Sequence, residues 1–196
     1  GLPAAPGTPV IFAPNVGSYV GGDITAGVLD TLMWDSELMT LFIDLGTNGE
    51  LVLGNSEYML TCACSAGPAF EGGDISCGMR ATTGAIDSVH IDDETLEPEY
   101  TLISGEKPLG LCGSGLIDII SELFRTGAVN SKGKFIRESR RIRYDEFGGN
   151  YIVAFASEGD TGKDIELTEG ALDNFIRAKA AIFSAIRTML STLAMS

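Results

Sequence analysis

The sequence predicts an α/β fold (α+β by some definitions), with a central mixed sheet that includes an antiparallel meander and with flanking helices. Three observations carry this. Apolar runs at 38–45, 50–54 and 58–65 are separated by short polar or glycine turns, which is the pattern of a strand meander. A glycine-rich stretch at 110–115 opens an apolar-striped segment that closes at Gly127, as an amphipathic helix does. A long helical pattern fills 168–193.

Taken in order, residues 1–22 are loop-like and rich in Pro and Gly, and read as a lead-in or linker to a lobe over 23–196. The start has neither Met nor a basic n-region, so it is not expected to be a signal peptide. It reads as a cut point within a longer protein, and the far end reads as a C-terminal truncation of the lobe. Asp23 is the predicted N-cap of a helix carrying GVLDTLMW. The run 38–45 suits a buried strand. Asn48-Gly49 between two apolar runs is the strongest short hairpin signal, with 50–54 as the return strand and 58–65 as a third. The glycine-rich stretch 66–84, containing GPAFEGG and SCGM, is expected to pack closely. Strands follow at 85–91 and 99–103, with the acidic 92–97 between them as a solvated loop. In the next helix Leu116, Ile120, Leu123 and Phe124 share a face. Residues 130–165 are polar and mixed, with one strand at 151–155. Thr168 is the predicted N-cap of the last helix, whose stripe is Leu172, Phe175, Ile176, the stem of Lys179, Phe183, Ile186, Leu190 and Leu193.

With 196 residues, 44% of them hydrophobic, the chain is long enough for one good core. Acids outnumber bases 27 to 13, for a net charge of -14. Such a surface repels nucleic-acid phosphate and anionic lipid, so neither nucleic acid nor membrane is an expected partner. Any anion site must then rely on backbone amides and a metal. No apolar run reaches the roughly 18 residues a membrane span needs. The four cysteines, Cys62, Cys64, Cys77 and Cys112, include no CxxC pair, and His90 is the one histidine. Reduced, metal-free thiols in a cytoplasmic protein are expected. Cys62 and Cys64 would share a strand face, but two thiolates with no further pair or nearby His make a poor metal site. They read as small buried side chains, and His90 as structural or solvated.

The turn from Asp44 to Glu50 is the most informative feature. Asp44 closes a predicted buried strand, where a carboxylate is costly unless it meets a metal, a donor or a water. Gly46 and Gly49 let backbone amides approach a ligand, and Thr47 and Asn48 add side-chain donors. Two readings fit: an ordinary Asn-Gly hairpin with a capping Asp, or a cup for phosphate oxygens with a carboxylate placed to hold a Mg2+-bound or attacking water. Gly113-Ser114-Gly115 at a helix start is either a second anion site or a plain strand-to-helix turn. Cys64-Ser65-Ala66-Gly67-Pro68 is a weaker anion candidate, and close backbone packing explains it as well.

Four motifs in order, IDLGTNGELVLG, CSAGPAFEGG, GLCGSGLID and NFIRAKAAIFSAIRTML, give a resemblance over most of the chain. It is similar to the ATPase module of the reductive activators of corrinoid proteins, relatives of sugar kinases and actin. The resemblance implies an actin-like ATPase lobe, the second of two that close on ATP, with 44–50 as its phosphate hairpin. It implies Asp44 as the catalytic residue, organising Mg2+ through water. Gly46, Thr47, Asn48, Gly49 and Glu50 would contact phosphate, and Gly113 and Ser114 would line the same cleft. The implied parent protein spends ATP to drive an electron from an iron–sulfur domain, absent here, onto an inactive cob(II)alamin, restoring cob(I). Its implied partner is a corrinoid protein or a corrinoid methyltransferase system, and a homodimer is compatible. Two other readings remain: a non-hydrolysing actin-like module that docks a partner, and a sugar or acid kinase lobe.

Overall fold

A computed structural model describes residues 3, 5–159 and 161–194. The chain divides into two compact units. The first holds 1–44, 49–64 and the end of the last helix from 185. The second holds 45–48 and 65–184.

In the first unit, helix α1 (Gly22–Asp30) precedes a 3-10 turn (Met33–Asp35) and strands β1 (Thr40–Leu45), β2 (Gly49–Gly54) and β3 (Met59–Cys64). The strands form one sheet in the order β1-β2-β3. β2 and β3 pair antiparallel, from Gly49 opposite Cys64 to Gly54 opposite Met59. The short connection at 46–48 makes β1 and β2 antiparallel as well, so the expected meander is present. Val20, Ile24, Met33 and Val52 form the core, with Val28 and Phe42 packed on it. Gly27 lets α1 lie close, because a Cβ there would come within 2.5 Å of the Phe42 ring.

Three expectations for this unit need correction. β1 starts at Thr40 rather than at 38, because Ser36 Oγ turns the chain there by accepting the Leu38 N–H. β1 is also not buried: as an edge strand it leaves Leu41, Ile43 and Leu45 between 37% and 43% exposed, and the central β2 takes the burial instead. Asp23 lies inside the first turn of α1, where its Oδ1 accepts the Ile24 N–H, and Gly21 holds the N-cap position. Trp34, in the 3-10 turn, is half-exposed.

The second unit opens with a 3-10 turn (Pro68–Glu71), then β4 (Ala85–Ile91), β5 (Pro98–Leu102), β6 (Gly110–Leu111) and helix α2 (Gly113–Arg125). Next come β7 (Ile142–Asp145), β8 (Gly148–Ala154), β9 (Ile165–Thr168) and helix α3 (Glu169–Thr192), which belongs to this unit as far as Ser184. The mixed sheet is the one centred on β4, antiparallel to β5 and parallel to β6. β7, β8 and β9 form an antiparallel sheet. Only β8 of these was expected. Its neighbours are short, and β7 buries Ile142 alone, so neither shows a readable period.

α2 packs on β4 through Leu116, Ile119, Ile120 and Leu123, and Gly115 meets the Ile86 carbonyl where a side chain would collide. Phe124, assigned to that face, is 38% exposed, and Ile119 takes its place. The buried seam of α3 is Leu172, Phe175, Ala178, Ile182, Ala185 and Met189. Lys179 and Phe183 point outward, because the alanines, too small to register as a stripe, set the face. Thr168 caps α3 as expected, its Oγ1 accepting the Ala171 N–H at 3.0 Å. The glycine-rich stretch packs closely, with Gly78 against the Gly72 carbonyl.

The acidic segment 92–97 is more than a solvated loop. Leu96 is fully buried in the left-handed region at φ 58°, and its carbonyl accepts the Tyr151 hydroxyl at 2.8 Å. Arg140 and Arg141 grip Glu97, Arg125 reaches Asp93, and Arg137 donates to the carbonyls of Asp93 and Glu94. These partners lie far downstream, where the local composition of the loop cannot announce them.

Candidate phosphate site

Asp44 stands half-buried at the end of β1, and Gly46, Thr47 and Asn48 form the hairpin turn. Within the turn the Gly46 N–H donates to the Asn48 carbonyl at 3.0 Å. Among the described residues this is the turn's one backbone bond outside the strand ladders. Gly49 is buried opposite Cys64, and Glu50 is half-buried opposite Ala63. The Cys64 thiol is pushed up in pKa by burial and by Cys62, and the Gly49 amide partly offsets this. Cys62 and Cys64 are half-buried rather than buried, since β3 is an edge strand. Cys77 is pushed up to about 12 by burial. His90, two-thirds exposed, contacts Glu122 through Nδ1 at 2.9 Å.

The turn is not isolated. Thr47 Oγ1 donates to Glu71 Oε2 at 2.9 Å, and a Cβ at Gly46 would lie 3.3 Å from Glu71 Oε1. Glu71 ends the 3-10 turn Pro68–Glu71. The residue before it, Phe70, presents its carbonyl to Gly113, where a side chain would collide. Phe70 is itself pinned edge-on to Phe175 of α3 at 4.8 Å. The FE step of CSAGPAFEGG therefore joins the tip of the hairpin to the start of α2, the two stretches singled out as anion sites.

The N-terminus of α2 has no side-chain cap. Cys112, at the N-cap position, sends its own N–H to the Ile86 carbonyl, and its Sγ lies 3.3 Å from the exposed Ser114 Oγ. Amides of the first helical turn are thus left for water or an anion. Glycine at the turn, a hydroxyl and uncapped amides fit phosphate oxygens. Among the described residues no three His, Cys, Asp or Glu side chains gather for a metal. A divalent cation here would be held through water and phosphate oxygens with Asp44, as Mg2+ commonly is.

Glu71 is the residue that sequence reasoning missed, although it stands in a quoted motif. Its neighbours outline an open groove of about 510 Å3 lined by Glu71, Gly72, Gly73, Gly78, Met79 and Arg80. A second groove, of about 220 Å3, has Gly67, Pro68, Asp74, Asn174 and Arg177 among its lining residues.

One mixed sheet, two antiparallel ones, the hairpin and the helices α2 and α3 make an ASKHA-type lobe, the actin-like class. The family model described as the C-terminal domain of RACo, the ASKHA domain, matches residues 38–196, and the chain belongs to that family. The corrinoid activation enzyme RamQ of Eubacterium limosum is 39% identical over 192 residues, covering 93% of this chain and 32% of the relative. The [Co(II) methylated amine-specific corrinoid protein] reductase of Methanosarcina barkeri is 26% identical, over 92% of this chain and 34% of the relative. A solved structure of a reductive activator for corrinoid, iron–sulfur protein is 52% identical with a TM-score of 0.88, covering 93% of this chain and 30% of that one. The chain thus spans about a third of the length of these proteins. Among the described residues no helix is long and apolar enough to cross a membrane.

Proposed function

We propose that this chain is the phosphate-binding lobe of a cytoplasmic, ATP-dependent reductive activator, which returns an inactive cob(II)alamin corrinoid protein or methyltransferase system to the cob(I) state. The observation that carries the reading is the linkage Thr47–Glu71–Phe70–Gly113, which ties two phosphate-type elements to one short segment. Mg-ATP supplies the free energy for a transfer that is otherwise uphill. An iron–sulfur cluster, held outside these residues, supplies the electron.

The chain's own residues position and hold. The amides of Thr47 and Asn48 face phosphate oxygens at the hairpin tip, where Gly46 and Gly49, whose own N–H groups are directed to the Asn48 carbonyl and the Cys64 thiol, let the backbone come close. The Thr47 hydroxyl and the Asn48 amide group add donors. Gly113 and Ser114 present the uncapped start of α2 to the same anion. Asp44 orients a water, either bound to Mg2+ or attacking, and Glu50 frames the far side of the turn.

The test is ATP turnover by the complete activator carrying Asp44→Ala. Loss of a water-positioning carboxylate is expected to lower kcat by about a hundredfold or more. Conversion of cob(II) to cob(I), followed by its absorbance change, should fall in parallel. Unchanged turnover would favour a module that only docks its partner.

A further inference from the structure

We infer that Glu71 is a built-in competitor for the phosphate turn, which the nucleotide displaces toward Arg80. The inference rests on the reading of 44–50 as the phosphate hairpin. A carboxylate is the side-chain group that most resembles part of a phosphate: two oxygens on one centre, negatively charged, accepting hydrogen bonds. Glu71 places one oxygen 2.9 Å from the Thr47 hydroxyl, which donates to it, and the other over Gly46. The Thr47 hydroxyl is one of the donors assigned to phosphate, and Gly46 is the glycine beside which a phosphate would come close.

A hydroxyl has one proton to donate, so Thr47 cannot serve Glu71 and a phosphate oxygen together. Two anions crowded at one turn also repel. Glu71 is exposed, so the bond that holds it competes with water and yields readily.

The structure offers a place for it to go. The groove beside Glu71 has a floor of Gly72, Gly73 and Gly78, with no side chain to block a swinging carboxylate, and Met79 and Arg80 complete its lining. Arg80 is exposed, so its guanidinium is accessible to the displaced carboxylate. A guanidinium is a good receiver for a carboxylate.

The complete activator is titrated with Mg-ATP as wild type, Glu71→Ala, Glu71→Gln, Arg80→Ala and the double variant Glu71→Ala/Arg80→Ala. Removing one exposed like charge a few ångströms away should tighten binding about fivefold. Glu71→Ala should therefore lower both the Kd and the KM for Mg-ATP by about that factor. Glu71→Gln should fall between wild type and Glu71→Ala, because its amide oxygen still accepts the Thr47 hydroxyl while the charge is gone. Arg80→Ala should weaken binding in the wild-type background and change nothing in the Glu71→Ala background, as coupled positions do.

Unchanged or weaker binding in Glu71→Ala, or a collapse of its kcat, overturns the inference, since Glu71 would then be inert or would hold the ligand. Equal loss on Arg80→Ala in both backgrounds overturns the swing. Failure of the wild-type activator to bind Mg-ATP removes the phosphate-hairpin reading itself.

Discussion

Gly113 has no room for a side chain: a Cβ there runs into the Phe70 carbonyl, and backbone has no rotamer to yield. Gly113→Ala is expected to cost about 1–3 kcal/mol, as overpacking does, and to loosen the start of α2 from the segment bearing Glu71. A urea midpoint that stays unchanged would contradict this contact. Glu97 and Glu122 make a different residue-level prediction. Arg140 and then Arg141 hold Glu97 down to about 2, and Arg125 does the same for Glu122, in both cases from an ordinary 4.5. A carboxyl with a depressed folded pKa contributes stability above its unfolded value and loses it on acidification. The melting temperature should therefore hold from neutral pH down to about 4.5 and fall from there to about 2. Glu97→Gln together with Glu122→Gln should flatten that fall.

At the scale of elements, α3 shows what the sequence made legible. Its N-cap was readable from Thr168, because a hydroxyl before an apolar-periodic run has one obvious use. Thr168→Ala is expected to cost about 1 kcal/mol, measured by the thermal midpoint with Thr168→Ser as the variant that restores it. The packed face of the same helix is legible only in part: Leu172 and Phe175 are buried as expected, while Ala178 and Ala185, also buried, add nothing to an apolar stripe. The hairpin at 46–48 and the strand Ala85–Ile91 came through because turn chemistry and apolar runs are local signals. β7 and β9 did not, because their four residues each are held by pairing with β8 rather than by any pattern of their own. Of the site, the glycines were legible and Glu71 was not. Its contact with the turn is made to Thr47, 24 positions away.

At the scale of the whole molecule, the question is how much of a nucleotide site one lobe can supply. The hairpin tip offers exposed Thr47 and Asn48, and the chain carries a net charge of -14. Contacts to an anion in so open a place are weakened by water, and the acidic background opposes it. The 196-residue chain alone should bind Mg-ATP at least about a hundredfold more weakly than the complete activator, given what pre-organised closure contributes. Calorimetry on both decides this, and micromolar binding by the chain alone would mean that these residues complete the site.

The single tryptophan, Trp34, lies half-exposed in the 3-10 turn of the first unit. Intrinsic indole emission is therefore an optical reporter for that unit alone. Far-ultraviolet ellipticity, by contrast, sums over the backbone of both units, with α2 and α3 as its longest helices. A denaturant series followed by both signals reads the chain at two addresses without any added dye. Non-coincident curves would reveal two cooperative folding units.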